Sequence, residues 1–279
     1  MSTPAPVGKA ALIASVGGQR GYADWTNADH RLRRLLSEFI GTAGLTFVIS
    51  GAAATLVRYG GDPPQPWEMA AVLSALAALW FVAAIYFLGD ISAHFNPVIT
   101  LAFALRRDMG WAMAAVYWVV QLAAATAGSL LARGFFGNYG NLGATVPQPG
   151  HSVSTAVFEA FITFGFVLMV LSLANGPKLT GPFVPLAVGA YVMAWGTMGG
   201  PFDGASMNPA RSFGPDVAIG ELSTWWWIYL VGPAVGSVVA VGVARVLRGP
   251  ATAQEALSAM GTPLTHDEKK RPVSRASSP

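Results

Sequence analysis

The stretch Gly204-Ala205-Ser206-Met207-Asn208-Pro209-Ala210-Arg211-Ser212-Phe213-Gly214-Pro215 decides the fold, because its breaker Asn208-Pro209-Ala210 has a partner, Asn96-Pro97-Val98, 112 residues earlier. One Asn-Pro is a turn signal. Two of them, each entered through a small, polar approach (Gly89-Asp90-Ile91-Ser92-Ala93-His94-Phe95 in the first case) and each followed by a short apolar run, are one structural device used twice. The runs, about 96–105 and 208–219, are far too short to cross a bilayer, which takes about 20 residues of helix. They read as half-helices that enter and stop. Asn is a good N-cap, and Pro in the first turn lacks only an N–H that would be unpaired anyway, so each half-helix starts at its Asn.

Outward from these breakers the chain is apolar. Of its 279 residues 53% are hydrophobic and 11% charged, with long windows holding no ionisable group. That composition predicts an integral, all-α membrane protein. Spans of membrane length are expected at about 38–58, 69–89, 111–133, 153–174, 183–200 and 225–247, with Trp67, Trp111 and Trp225-Trp226-Trp227 at span ends as interfacial anchors. Six spans put both termini on one side. Lys9, Arg20, Arg31, Arg33, Arg34, Arg106, Arg107, Lys178, Arg245, Arg248, Lys269, Lys270, Arg271 and Arg275 fall on that side and only Arg58, Arg133 and Arg211 on the other. Fourteen against three makes the first side cytoplasmic, and the location a cell membrane crossed several times.

The 112-residue offset also relates Tyr117 to Tyr229 and Ala124 to Gly236, while Glu38 and Glu159 correspond at an offset of 121. The expected organisation is a cytoplasmic tail 1–36, a first repeat 37–137, a second repeat 138–248 and a disordered cytoplasmic tail 249–279. Each repeat holds three spans, an odd number, so the second is inserted upside down and the two broken helices meet near the midplane. Irregular backbone at that depth must be buried in protein or line a watery cavity. Two facing half-helix N-termini bring partial positive charge that repels cations, and the carboxamides of Asn96 and Asn208 offer N–H donors to a passing neutral molecule.

These residues resemble the aquaporin and aquaglyceroporin channels, the major intrinsic proteins, over roughly 35–248. The likeness is carried by Ser37-Glu38-Phe39, by Gly89-Asp90-Ile91-Ser92, by His94 through Val98, by Gln121 and by the string from Gly204 to Pro215, and it lies nearest the nodulin-like branch with its bacterial relatives. The resemblance implies a passive channel for water and small uncharged solutes, a homotetramer with one pore per subunit, and a filter in which Arg211 and the half-helix dipoles exclude protons and cations. By spacing it places Gly196, Ala205 and Ala77 (or Leu76, according to where the first loop is one residue short) beside Arg211. Water-selective relatives usually hold an aromatic and a His at two of these places. Small residues here imply a wider gap suited to glycerol, urea or metalloid acids. Ser212 stands where glycerol facilitators usually carry Asp, and Val98 where Ala is usual, which is expected to narrow the midplane or shift the half-helix.

Other readings are weaker. Glu38 and Glu159, ionisable residues inside spans, are expected to brace the re-entrant loops rather than relay protons. His94 has no second His or Cys at ligand spacing, so no metal is expected. With no cysteine, disulfides and thiolate sites are excluded. No cofactor is expected, and no enzymatic activity, since no nucleophile, base and orienter are set to converge. Basic residues gather toward the tails, so nucleic acid is an unlikely partner and membrane lipid the expected one. A strict water channel and an ion-coupled transporter built on the same inverted plan remain as alternatives. The first 36 residues lack the apolar core and cleavage site of a signal peptide.

Overall fold

A computed structural model describes residues 28–174 and 183–250; the tail beyond 250 and most of the expected N-terminal tail lie outside the described residues. Among the described residues eight α-helices follow one another: α1 Ala28–Tyr59, α2 Pro66–Leu88, α3 Pro97–Leu105, α4 Trp111–Phe136, α5 Ser152–Ala174, α6 Val184–Asp203, α7 Pro209–Ile219 and α8 Ile228–Arg248. The order long, long, short, long occurs twice. Six long helices and two half-helices therefore make up the inverted repeat, and the half-helices are the two short elements that open on Asn-Pro.

Five of the long helices have both the length and the apolar composition of membrane spans. Helix α6 has the length, 20 residues, but is diluted by glycine, and its packing on α2 shows why. A Cβ on Gly196 would lie 2.4 Å from Ser74 Oγ, and one on Gly200 would lie 2.5 Å from Ala70 Cβ. The seam closes only where α6 lacks side chains. The same device joins α1 to α4, where Gly128 sits on Ala43 O, and α5 to α8, where Gly236 sits on Ala160 O, each leaving no room for a methyl group. Lipid tails are as apolar as Leu, so helices in a membrane gain little by hiding apolar surface from one another; close backbone approach and interhelical hydrogen bonds hold them together. Thr46 donates to Ala125 O at 2.9 Å, Ser50 Oγ meets Ser129 Oγ at 3.1 Å, and Trp80 Nε1 donates to Gly41 O at 2.8 Å.

Two boundaries differ from the sequence expectation. Helix α1 begins at Ala28, so the boundary at 36 falls inside it. Arg31, Arg33 and Arg34 end the apolar span but not the helix, because Arg and Leu are good helix formers, and Arg34 is buried over the Tyr117 ring. The Trp225 to Trp227 cluster lies in the turn before α8 rather than within the last span, and all three rings are partly exposed.

Candidate functional site

Each re-entrant loop hangs from a buried glutamate. Glu38, on α1 and fully buried, accepts four hydrogen bonds: from Ser92 Oγ (2.7 Å) and His94 N (2.8 Å) on one oxygen, and from Phe95 N and Gln121 Nε2 (both 2.8 Å) on the other. Glu159, on α5 and equally buried, accepts from the backbone N–H groups of Ser206 and of Met207, the latter at 2.8 Å. The backbone at Phe95 (φ 50°) and Met207 (φ 53°) is left-handed, a conformation that costs a side-chain-bearing residue about 1 kcal/mol or more. The carboxylates hold it in place by taking N–H groups that would otherwise be unpaired at membrane depth.

From these loops the two asparagines project toward each other. Asn96 Oδ1 caps α3 by accepting from Val98 N at 3.0 Å; Asn208 Oδ1 caps α7, accepting from Ala210 N at 3.0 Å and Arg211 N at 3.3 Å. Their Nδ2 atoms cross over: Asn96 donates to Met207 O (2.8 Å) and Asn208 to Phe95 O (2.9 Å). A carboxamide nitrogen carries two N–H groups. One holds the opposite loop, and the other is left for the cavity that both residues line.

That cavity has a volume of about 320 Å³. It opens at the face opposite the start of α1, between the beginning of α2 and the end of α6, and runs down to the two asparagines. Asn96, Asn208, Arg211, Gly196, Ala205 and Ala77 all line it. Leu76, the alternative to Ala77, is 38% exposed on the outer surface of α2. Pro97, Val98, Pro209 and Ala210 are buried behind the asparagines and are not part of the wall. The Val98 carbonyl accepts from Ser237 Oγ of α8 at 2.8 Å. Ser212 also stays out of the wall, bonded to Thr145 Oγ1 (2.8 Å) and Ser206 Oγ (2.6 Å). The place where glycerol facilitators carry Asp here faces a hydroxyl cluster instead of the cavity.

Three parts of the site had no clear signal in the sequence. The connection after α4 makes a 3-10 turn, Gly140–Gly143, in which all four residues have positive φ, and Gly143 O accepts from Arg211 Nη1 at 2.7 Å. Nothing local marks Asn141 and Leu142 for that conformation; it is held by packing, with Leu142 wholly buried and Gly140 against Ala53 O. Asp203, 1% exposed, caps the loop: it accepts from Ala205 N at 2.8 Å through Oδ1, while its backbone carbonyl takes the Tyr229 hydroxyl at 2.8 Å. Ser74 also lines the cavity. It stands one helical turn before Ala77 and Ala78, and that spacing is the one cue that would have found it.

His94 is buried under the first loop, its Nδ1 3.0 Å from Thr100 Oγ1 and its ring stacked on Phe103 at 4.9 Å. Among the described residues no three His, Asp or Glu side chains gather as metal ligands.

Comparison with known proteins agrees with this architecture. The profile of the major intrinsic proteins matches residues 25–243. Aquaporin NIP2-1 of Zea mays is 35% identical over 222 residues, 78% of this chain and 73% of that protein. Nodulin-26 of Glycine max is 34% identical over 226 residues, 78% of each. The solved structure of the aquaglyceroporin from Plasmodium falciparum superposes with a TM-score of 0.65 at 23% identity, covering 78% of this chain and 97% of that one, and shows the same fold.

Proposed function

The chain belongs to the major intrinsic protein family, and from that premise we propose which residues make its pore and what passes it. It is a multi-pass membrane channel for water and small neutral solutes. The observation that carries the detail is the meeting of two half-helix N-termini at the floor of one cavity, each presenting an asparagine N–H, with the buried Arg211 guanidinium in the wall above. A molecule entering loses water on its apolar sides and regains hydrogen bonds from Asn96, Asn208 and Arg211. The positive ends of α3 and α7 and the guanidinium raise the energy of any cation at that point, hydronium included.

The filter formed by Ala77, Gly196, Ala205 and Arg211 has three walls of minimal size, which supports solutes larger than water: glycerol, urea or an uncharged metalloid acid. Four such chains assemble as a homotetramer in a cell membrane with both termini cytoplasmic, as the distribution of Lys and Arg favours. Glu38 and Glu159 act as braces and stay outside the transport path.

Stopped-flow light scattering of proteoliposomes tests this. Under a gradient of impermeant sugar the vesicles shrink fast; under glycerol, urea or boric acid they shrink and re-swell. Replacing Arg211 (Arg211→Val) widens the filter and removes its charge, and the expected outcome is a rise in solute and cation leak of about ten-fold, the scale of one interaction of roughly 1.4 kcal/mol at the barrier. Fast shrinkage with no re-swelling would identify a strict water channel, and an Arg211→Val variant with wild-type cation exclusion would take the filter role away from Arg211.

A further inference from the structure

We infer that Ser74 is a specificity-determining residue: its hydroxyl occupies the place of the side chain missing at Gly196 and offers a hydrogen bond to hydroxylated solutes as they pass Arg211. The inference rests on the channel reading above and names one more wall of the same filter.

Gly196 has been treated as a gap, but the gap is not empty. A Cβ built on Gly196 would stand 2.4 Å from Ser74 Oγ and 2.9 Å from Ser74 Cβ, so the serine side chain fills the space a residue at 196 would use. Both residues line the cavity. The level is that of Arg211, because Gly143, whose carbonyl receives Arg211 Nη1 at 2.7 Å, also packs against the neighbouring Leu73: a Cβ there would be 3.0 Å from Leu73 Cδ2. Ser74 is 8% exposed, and its hydroxyl takes no protein hydrogen bond among the described residues. Most mid-helix serines on a dry face find a nearby carbonyl; this one has none and stands at the edge of the passage, against Gly196.

The chemistry of the two walls differs. Arg211 only donates, whereas a serine hydroxyl both donates and accepts. A solute bearing hydroxyls on opposite sides can accept from Arg211 and donate to Ser74 at once, which replaces the hydration it sheds in the constriction. Small polyols and hydroxylated uncharged acids have that form. Water is too small to span the two walls; urea spans them in one orientation only, with its carbonyl toward Arg211 and an N–H toward Ser74, whereas a polyol or hydroxylated acid does so with any pair of opposed hydroxyls.

Two substitutions test the assignment. In Ser74→Ala, the expected result is a loss of glycerol and boric acid permeability relative to water of roughly five-fold, the scale of one net hydrogen bond. A serine that merely fills space predicts the opposite sign, since removing an oxygen widens the passage and raises every permeability together. The chain has no cysteine, so Ser74→Cys carries a unique thiol. Its modification by a small, charged methanethiosulfonate added on both sides of the vesicle should block flux of water and solute alike.

A thiol that stays unmodified, or a Ser74→Ala channel whose solute-to-water ratio is unchanged or raised, overturns the assignment. If Ser74→Ala fails to fold, the Ser74→Cys channel before modification decides the matter through its own solute-to-water ratio, because a thiol hydrogen-bonds poorly. A wild-type protein that passes neither glycerol nor boric acid sinks the solute-channel reading itself, independently of Ser74.

Discussion

The two re-entrant loops share a backbone and differ in almost everything else. In both, a buried glutamate takes the N–H groups of the two residues before the Asn, the second of those residues is left-handed, and the Asn caps its own half-helix while donating across to the other loop. Around that shared frame the first loop is closed by a cluster of polar side chains: Gln121 bonds to Glu38 and to Thr100 Oγ1 (3.1 Å), His94 meets Thr100, and Tyr117 meets Ser92 at 3.0 Å. At the second loop Glu159 takes backbone N–H groups and its side-chain neighbour is another acid, Asp203, rather than an amide. This loop carries Arg211 into the wall and ties it to the 140–143 turn. The membrane requires the frame twice, because every N–H at that depth must find a partner. Selectivity needs a feature only once, and the chain places it on one side.

The comparison breaks most sharply at the glutamates. Glu38→Ala leaves the N–H groups of His94 and Phe95 without an acceptor and takes one hydrogen bond each from Ser92 and Gln121, which keep Tyr117 and Thr100; Glu159→Ala strands the N–H groups of Ser206 and Met207 alone. An unsatisfied buried donor costs about 1–3 kcal/mol and a typical hydrogen bond contributes about 1 kcal/mol, so both changes are destabilising and the first by about 2 kcal/mol more than the second. Thermal unfolding of the detergent-solubilised protein, followed by size-exclusion fluorescence, measures the order. If Glu159→Ala unfolds at or below the temperature of Glu38→Ala, the number of donors is not what separates the loops.

At the asparagines the two halves should behave nearly alike. Asn96→Ala and Asn208→Ala each remove a cap, worth about 1 kcal/mol, and a crossed hydrogen bond worth about 1 kcal/mol more. The expected loss is about 2 kcal/mol for either, slightly larger at Asn208, whose Oδ1 receives two N–H groups against one at Asn96. Since each residue holds the opposite loop, the double variant should lose less than the sum of the two. Strict additivity in a double-mutant cycle would show that the crossed bonds are not coupled.

Much of this was legible before any coordinates. The bilayer sets span length, and the Asn-Pro pair marks the two places where the chain stops short of it, so the helix order followed from the sequence; the family resemblance, counted from Asn208 and Gly89, then named Gly196, Ala205 and Ala77 (or Leu76) beside Arg211. The rest depends on packing that no local pattern encodes. Hydropathy ends at the lipid, but a helix such as α1 does not. Asn141 tolerates positive φ by its nature, but Leu142 takes it in a turn whose glycines pack on Ala53 and in which its own side chain is wholly buried. Val98 stands inside the first motif, yet the contact the structure gives it, Ser237 Oγ on its carbonyl, comes from a helix 139 residues away. Ser74 was hidden because its role depends on the absence of a side chain at Gly196, on a helix 122 residues away.

The finest difference lies where each half-helix docks on the last helix of the other repeat. Helix α7 meets α4 backbone to backbone: a Cβ on Gly214 would stand 2.5 Å from Ala125 O. Helix α3 meets α8 through a hydroxyl, Ser237 Oγ to Val98 O, and Ser237 and Ala125 are related by the repeat offset of 112. The carbonyl of Val98 also sits in a helix, so removing the hydroxyl by Ser237→Ala leaves it a helical partner, and the loss is expected to be that of an average interhelical bond in a membrane, about 0.6 kcal/mol. Thermal unfolding of Ser237→Ala in detergent measures it. A loss of several kcal/mol would mean that Ser237 holds the half-helix in register, and the first junction would then be as rigid as the glycine contact in the second. A loss near the expected value leaves the first half-helix the looser of the two, with the tighter one on the side that carries Arg211.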